Sequence, residues 1–321
     1  MKKAMLRKKT IGVLMGGKSA EREVSLKSGM AVYRALLAKK YKVAAIDPAG
    51  DLCGQLRKKH IEVAFIVLHG GHGENGAIQG LLEVMQIPYT GSGVLASALA
   101  MDKEASKKIF VYHDVPVPAF RIVHRCEFTV AGSGKAGARN TQGLVLKAGF
   151  PLPWVVKPAT EGSSVGVEIV KDRKSVSGAL KKAFEFGDRA VIEQYIAGKE
   201  VQIGILNGKV LGGVEVRPSA EFYNYEAKYT AGMTEYILPP QLPRRVYEKA
   251  MSAALSAHAA LGCSGATRVD LILSRGNPFV LEVNTIPGMT ETSLLPKIAR
   301  HAGFEFPELL EEILGGVSGA Y

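Results

Sequence analysis

The sequence predicts an α/β protein, and three observations carry that prediction. Between residues 10 and 98, short apolar runs alternate with segments whose apolar residues recur at helical spacing, the pattern of a parallel sheet covered by helices. At 321 residues and 47% hydrophobic content, the chain is long enough for two or three domains and apolar enough for well-buried cores. Its 36 glycines follow no repeat, which points to many special turns and not to low complexity.

The elements follow in order. MKKAMLRKKT starts as a signal peptide would, but IGVLM is cut short by Gly16 and Gly17, so this basic stretch is expected to be a solvated lead-in to a strand. TIGVLM is that strand, SLKSGMAVYRALLAKK a helix, YKVAAID and EVAFIVL two further strands, AIQGLLEVMQ a helix and IPYTG a short strand. From about residue 99 comes a smaller α/β unit, with the helix MDKEASKKIFVYH, a PVP linker, strands around 153–157 and 165–170, a basic helix and the strand AVIEQYI. Residues 194–321 give strands at VQIGIL and KVLGGVEV, the loop-like PSAEFYNYEAKYTAGM, the long helix RRVYEKAMSAALSAHAAL, a two-strand hairpin and C-terminal helices. AGSGKAGARNTQG, residues 131–143, is the most linker-like piece.

Composition excludes several classes. No apolar run approaches the ~18 residues of a membrane helix. Cys53, Cys126 and Cys263 are odd in number, widely spaced and without a CxxC pair, so neither a disulfide framework nor a zinc site follows, and a reducing, cytoplasmic setting is expected. The net charge of +11 reads either as a basic solvated surface or as a field that attracts anionic ligands such as nucleotides. Nucleic acid is disfavoured, because the basic residues are dispersed and no aromatic platform alternates with them.

One motif misleads. Gly12 to Ser19 (GVLMGGKS) satisfies the phosphate-loop pattern of P-loop NTPases, with Lys18 as its lysine. Val13, Leu14 and Met15, however, belong inside the apolar strand, and the helix is expected to begin only near Ser25. What remains is a tight turn followed by Glu21 and Glu23 at the C-terminal edge of the sheet, where open α/β folds bind ligands. These carboxylates are also favoured there simply as helix N-terminal residues. LHGGHGENG, residues 68–76, follows a strand in the same way. His69 and His72 lack a third ligand at convincing spacing, so a substrate-facing or hydrogen-bonded His69 is expected in place of a metal ligand.

The hairpin ATRVDLILSRGNPFVLEVNT, residues 266–285, carries the strongest chemistry. Strand alternation places Val269, Leu271 and Leu273 on one face and Arg268 and Asp270 on the other. Leu281 and Val283 likewise oppose Glu282 and Asn284. With Leu273 opposite Phe279 across a five-residue turn, Asp270 faces Glu282 and Arg268 faces Asn284. Two carboxylates and an amide oxygen on rigid strands suit a hard cation such as Mg²⁺. A solvated polar face with a cross-strand ion pair is the plainer reading, but it leaves the break at Pro287 and Gly288 unexplained. Lys157 at a strand end, the Gly/Ser-rich loop TEGSSVG, Lys103 at a helix start, and Glu193 and Glu200 flanking Gly198 add phosphate- and nucleoside-binding features. Together they indicate phosphoryl transfer with ATP and Mg²⁺.

These residues, in this order, resemble the ATP-grasp enzymes, and within them the D-alanine–D-alanine ligase family. The resemblance spans nearly the whole chain: GGKSAEREVSLKSG, LHGGHGENGAIQG, YTGSG with MDK, VVKP with EGSSVG, FYNYEAKY, and LEVNTIPGMT with TSL. It implies an ATP-grasp fold of three α/β domains, at 1–98, 99–193 and 194–321, with ATP gripped between the last two. It implies ligation of two D-alanines through an acyl phosphate, for peptidoglycan. Glu21 would hold the first ammonium and, with Ser163 and Tyr229, link the substrate to two loops, with His69 nearby. Lys103 and Lys157 would contact ATP phosphates, Lys228 the transferred phosphoryl, and Glu193 and Glu200 the nucleoside. Asp270, Glu282 and Asn284 would hold two Mg²⁺, with Mn²⁺ as the substitute. Arg268 and the Gly288 N–H would stabilise the tetrahedral oxygen, and Ser293 with the Leu294 amide would bind the second carboxylate. Tyr229 in EAKY resembles the members that use D-alanine rather than D-lactate as acceptor. Family habit implies a homodimer with no nucleic-acid or membrane partner. Residues 121–151 match none of these motifs.

Overall fold

A computed structural model describes residues 3–128, 148–218 and 234–317. Lys228 and Tyr229 in FYNYEAKY lie outside these residues, as does the linker-like stretch 131–143.

Three sheets organise the described residues. β1 (Thr10–Leu14), β2 (Lys42–Ile46) and β3 (Val63–Ile66) form a parallel sheet in the order β2-β1-β3. β1 is central, which is why Ile11, Val13 and Leu14 are fully buried. β4 (Phe120–His124), β5 (Trp154–Pro158), β6 (Glu168–Val170) and β7 (Arg189–Gln194) form an antiparallel sheet ordered β4-β7-β5-β6. Helix Val176–Phe184 covers it, burying Val176, Ala179, Leu180 and Ala183 at helical spacing against Trp154, Val156 and Ile192. The third sheet is antiparallel, with β8 (Lys199–Leu206), β9 (Lys209–Pro218), β10 (Thr234–Ile237), β11 (Ala266–Ser274) and β12 (Asn277–Asn284) in the order β10-β9-β8-β11-β12.

Helix Arg244–Ala260 packs on one face of this third sheet through Ala250, Ala253, Ala254 and Ala257, small residues that let it lie close to Val201, Ile203, Val269 and Leu271. Strand alternation sends the intervening residues Glu200, Gln202, Arg268 and Asp270 to the opposite face. The C-terminal helix Phe306–Gly315 closes back on the first sheet, where Leu309, Leu310 and Leu314 join Val32, Leu36 and Val63 in one core.

Several local expectations are corrected. The N-terminal stretch is mostly exposed, as expected, but it forms a short helix, Lys3–Leu6, whose Leu6 is fully buried beside the C-terminal helix. The helix after β1 is Arg22–Ala38 and starts earlier than Ser25. IPYTG makes only a single bridge, Tyr89 to Ala64. Helices Leu52–Lys58 and Val94–Met101 and strands β4 and β10 were not foreseen. The apolar pattern of LCGQLRK is too short for a clear period, and β10 takes its place from pairing with β9 and not from its own alternation. The three cysteines are free.

Candidate active site

The hairpin β11–β12 builds the floor of the site. Asp270 faces Glu282 and Arg268 faces Asn284, the expected pairs, but the route to that register differs. The turn has only two residues, Arg275 and Gly276, both at positive φ (49° and 76°), and Leu273 pairs with Pro278, not Phe279. Such two-residue turns match the right-handed twist of the strands they join. A β-bulge between Asp270 and Leu271 then absorbs one residue and restores the pairing of the carboxylates. Leu281 therefore does not share the buried face of Val283. It lines a cavity beside Glu282. β8 completes the polar face, with Gln202 opposite Asp270 and Glu200 opposite Ile272.

Two cavities open over this face. The larger, 650 Å³, runs between the second and third sheets and is walled by Val155, Val167, Ile196 and Leu281, with Lys157, Glu193, Glu200 and Asp270 as its polar groups. The other, 390 Å³, is lined by Glu21, His69, Ser163, Arg268, Asn284, Gly288, Ser293 and Leu294. Lys103, Glu161, Gly162 and Glu282 line both, so the cavities meet there. All the described residues to which the family resemblance gives a role thus border one connected space, whereas Lys18, Glu23 and His72 line neither cavity.

Each wall has a local cause. Lys103 opens helix Lys103–Tyr112, whose N-cap Asp102 accepts from the Glu104 and Ala105 amides. Its Nζ donates to the Glu161 carbonyl oxygen and lies 3.8 Å from the Glu282 carboxylate. One helical turn on, Lys107 is fully buried and pairs with Glu193 at 2.9 Å, while Lys157 reaches the same carboxylate at 2.7 Å. Burial alone would push the Glu193 carboxyl up, but Lys107 and Lys157 outweigh it and hold it below the ordinary range. Burial lowers Lys107 to about 8 against the raising effect of Glu193.

At the edge of the first sheet, Gly16 and Gly17 turn the chain at φ 90° and 81°, a conformation costly for residues with a Cβ. Lys18 points to solvent and lines neither cavity, and Val13 and Leu14 lie inside β1, so GVLMGGKS is not a phosphate loop. Glu21 immediately precedes helix Arg22–Ala38, makes no side-chain capping bond there, and accepts a short hydrogen bond from the Ser163 hydroxyl, which ties the TEGSSVG loop to this edge. Ser19 Oγ donates to the His69 carbonyl at 2.5 Å. The His69 ring is buried and hydrogen-bonded to the Ile286 backbone, and its Nε2 has no partner among the described residues. Burial, with Arg268 nearby, lowers it to about 4, so the ring is neutral. Glu74 accepts the Gly70 N–H at 2.6 Å. Desolvation, reinforced by Glu21, pushes its carboxyl up to about 8.

Past the hairpin, Pro287 and Gly288 carry the chain to Ser293, which precedes helix Leu294–His301. Ser293 Oγ accepts the Thr290 N–H at 3.1 Å and lies 2.7 Å from the Thr290 hydroxyl. Ser293 and Leu294, at the start of this helix, line the smaller cavity, and a helix N-terminus is a favourable place for a carboxylate. Arg268 grips Asp270 with two bonds, at 2.8 and 2.9 Å. Asp270, Glu282 and Asn284 offer two carboxylates and an amide oxygen, a donor set that fits a hard divalent cation sharing its remaining positions with water and phosphate. Among the described residues no larger cluster of His, Cys, Asp and Glu could enclose a metal by itself.

Sequence reasoning missed Lys107, Gln202 and Glu74. Lys107 follows Lys103 by one turn and Gln202 follows Glu200 by one strand period, so periodicity was the available signal for both. Glu74 lies inside the glycine-rich segment 68–76, and only its surroundings distinguish it.

Known proteins share this arrangement. The family model for the D-ala D-ala ligase C-terminus matches residues 110–315, and that for the D-ala D-ala ligase N-terminus matches residues 49–92. The chain belongs to the D-alanine–D-alanine ligase family. A D-alanine–D-alanine ligase of Geotalea uraniireducens is 50% identical over 98% of this chain and 97% of its own length. One from Citrifermentans bemidjiense is 51% identical over the same shares. Among solved structures, a D-alanine–D-alanine ligase of Bacillus anthracis superposes with a TM-score of 0.82 at 38% identity, covering 96% of this chain and 97% of that one. The same ligase complexed with ATP gives 0.80 at 35% identity, with the same shares covered. The fold is therefore the ATP-grasp α/β fold of this family.

Proposed function

We propose that this ATP-dependent ligase joins two D-alanine molecules into D-alanyl-D-alanine, for peptidoglycan synthesis in the cytoplasm. The observation that carries the reading is the meeting of the two cavities at Lys103 and Glu282, which would bring a nucleotide's terminal phosphate beside a bound carboxylate. A carboxylate resists attack by an amine until one of its oxygens becomes a good leaving group. In the proposed sequence, the carboxylate oxygen of the first D-alanine attacks the γ-phosphorus of ATP and ADP departs. The unprotonated amine of the second D-alanine attacks the resulting acyl phosphate, and phosphate leaves.

The residue roles follow from that sequence. Glu21 holds the first ammonium and, with Ser163 and Tyr229, links the substrate end to two loops; His69 lies beside the first substrate. Lys103 and Lys157 face the ATP phosphates, Lys228 the transferred phosphoryl, and Glu193 and Glu200 the nucleoside. Arg268 and the Gly288 N–H meet the charge that develops on the tetrahedral oxygen, where fixed donors in a dry site act most strongly. Ser293 and the Leu294 amide take the second carboxylate. Asp270, Glu282 and Asn284 would hold two Mg²⁺, or Mn²⁺ in their place, which when bound neutralise phosphate charge. We assign the domains to 1–98, 99–193 and 194–321 and the working form to a homodimer.

Phosphate release from ATP tests the reading, measured with D-alanine, with L-alanine, and with D-alanine plus D-lactate or D-serine, the product identified by mass. D-Alanyl-D-alanine formed with equimolar phosphate is expected, with no turnover of L-alanine. A depsipeptide with D-lactate, or a mixed dipeptide with D-serine, as the main product would reassign the acceptor, and the absence of ADP would reject the ligase.

A further inference from the structure

Lys107 borders neither cavity, yet it is the most deeply buried ammonium near them. Its side chain has 0% exposure and Glu193 has 3%. Lys107 and Lys157 both meet the same oxygen of Glu193, at 2.9 and 2.7 Å. Glu193 lies opposite Val155 on the neighbouring strand, with Lys157 two residues further on, so the carboxylate and Lys157 are diagonal neighbours on one sheet face. Lys107 reaches them from helix Lys103–Tyr112, and its Nζ stands 5.6 Å from the centre of the Phe120 ring, a second favourable contact for a cation. A buried charge is retained only where partners hold it, and here one carboxylate serves two ammonium groups. The cluster therefore carries a net charge of about +1 beside the larger cavity, against none if Lys107 were neutral.

We propose that Lys107 is a positioning residue for nucleotide binding: by neutralising Glu193 from behind, it leaves the charge of Lys157 available to the phosphates. It acts through Glu193 and Lys157 and touches no substrate. The inference rests on the reading of the larger cavity as the nucleotide site.

Calorimetric titration with ADP, and steady-state kinetics, on Lys157→Met, Lys107→Met, Glu193→Gln and the double variant Lys107→Met/Glu193→Gln test it. Lys157→Met probes the cavity itself; unchanged ADP affinity in that variant would overturn the nucleotide assignment and the inference with it. With Lys157→Met weakened, Lys107→Met is expected to lose about tenfold in ADP affinity and to raise KM for ATP by a similar factor, with KM for D-alanine unchanged. The same substitution made in the Glu193→Gln background is expected to cost at least threefold less, because no carboxylate then remains to claim Lys157. Wild-type affinity in Lys107→Met, additive losses in the cycle, or an equal rise in KM for both substrates would each overturn the inference while leaving the nucleotide site standing. Should Lys107→Met not accumulate as folded protein, Lys107→Gln replaces it, with the same loss expected and wild-type affinity again contradicting it.

Discussion

Asp270 and Glu282 face each other across β11 and β12 with Arg268 bonded to one and Lys103 near the other, so removing either carboxylate unbalances charge where the proposed function puts the phosphates. Glu282→Ala or Asp270→Asn should lower turnover by roughly 100-fold or more; the thermal midpoint should stay near wild type for Glu282→Ala and fall for Asp270→Asn, which breaks the buried pair with Arg268. Near-normal turnover in either variant would reject the hairpin as the metal-binding floor. Glu74 offers a second test, through pH. Its pKa rises from an ordinary 4.5 to about 8, so the folded state favours the protonated carboxyl. Its contribution to stability is full below 4.5 and is lost as pH climbs through about 8. Between these limits the thermal midpoint of the wild type should fall relative to that of Glu74→Gln, which keeps an acceptor for the Gly70 N–H without an ionisable group. Parallel curves would show that Glu74 is not the titrating group.

At the scale of elements, the hairpin shows what alternation reveals and what it conceals. Glu282 and Asn284 were legible opposite Asp270 and Arg268, because side chains on a strand change face at every residue. The tight turn and the compensating bulge were not legible, since both registers place the carboxylates together and differ only near the loop. That difference decides where Leu281 points. Gly276 at φ 76° tests the turn: Gly276→Val forces a branched side chain into left-handed backbone and should cost about 1–2 kcal/mol of stability in a denaturant titration. Turnover should be unaffected, because neither Arg275 nor Gly276 borders a cavity. A neutral effect on stability would argue against the two-residue turn. The antiparallel sheets illustrate a related gap. β7 and β8 were visible as apolar strands, but β4 and β10 complete their sheets by pairing, which a one-dimensional pattern does not display.

For the whole molecule, three sheets contribute one wall each to a connected space. The parallel sheet supplies Glu21 and His69 from its C-terminal edge, the second sheet Lys157 and Glu193, and the third Arg268, Asp270, Glu282 and Asn284. Among the described residues no helix is long and apolar enough to cross a membrane. The resemblance in the sequence named the individual residues, and the packing of the sheets joins them into two adjoining cavities. The central claim is that phosphoryl transfer and peptide-bond formation occur in succession in that space, through one shared oxygen. D-Alanine labelled with ¹⁸O in its carboxylate, incubated with unlabelled ATP and analysed by mass spectrometry, tests this directly. Each dipeptide formed should be matched by one released phosphate carrying a single ¹⁸O from the donor carboxylate. Dipeptide accompanied by unlabelled phosphate would contradict the acyl phosphate and the account built on it.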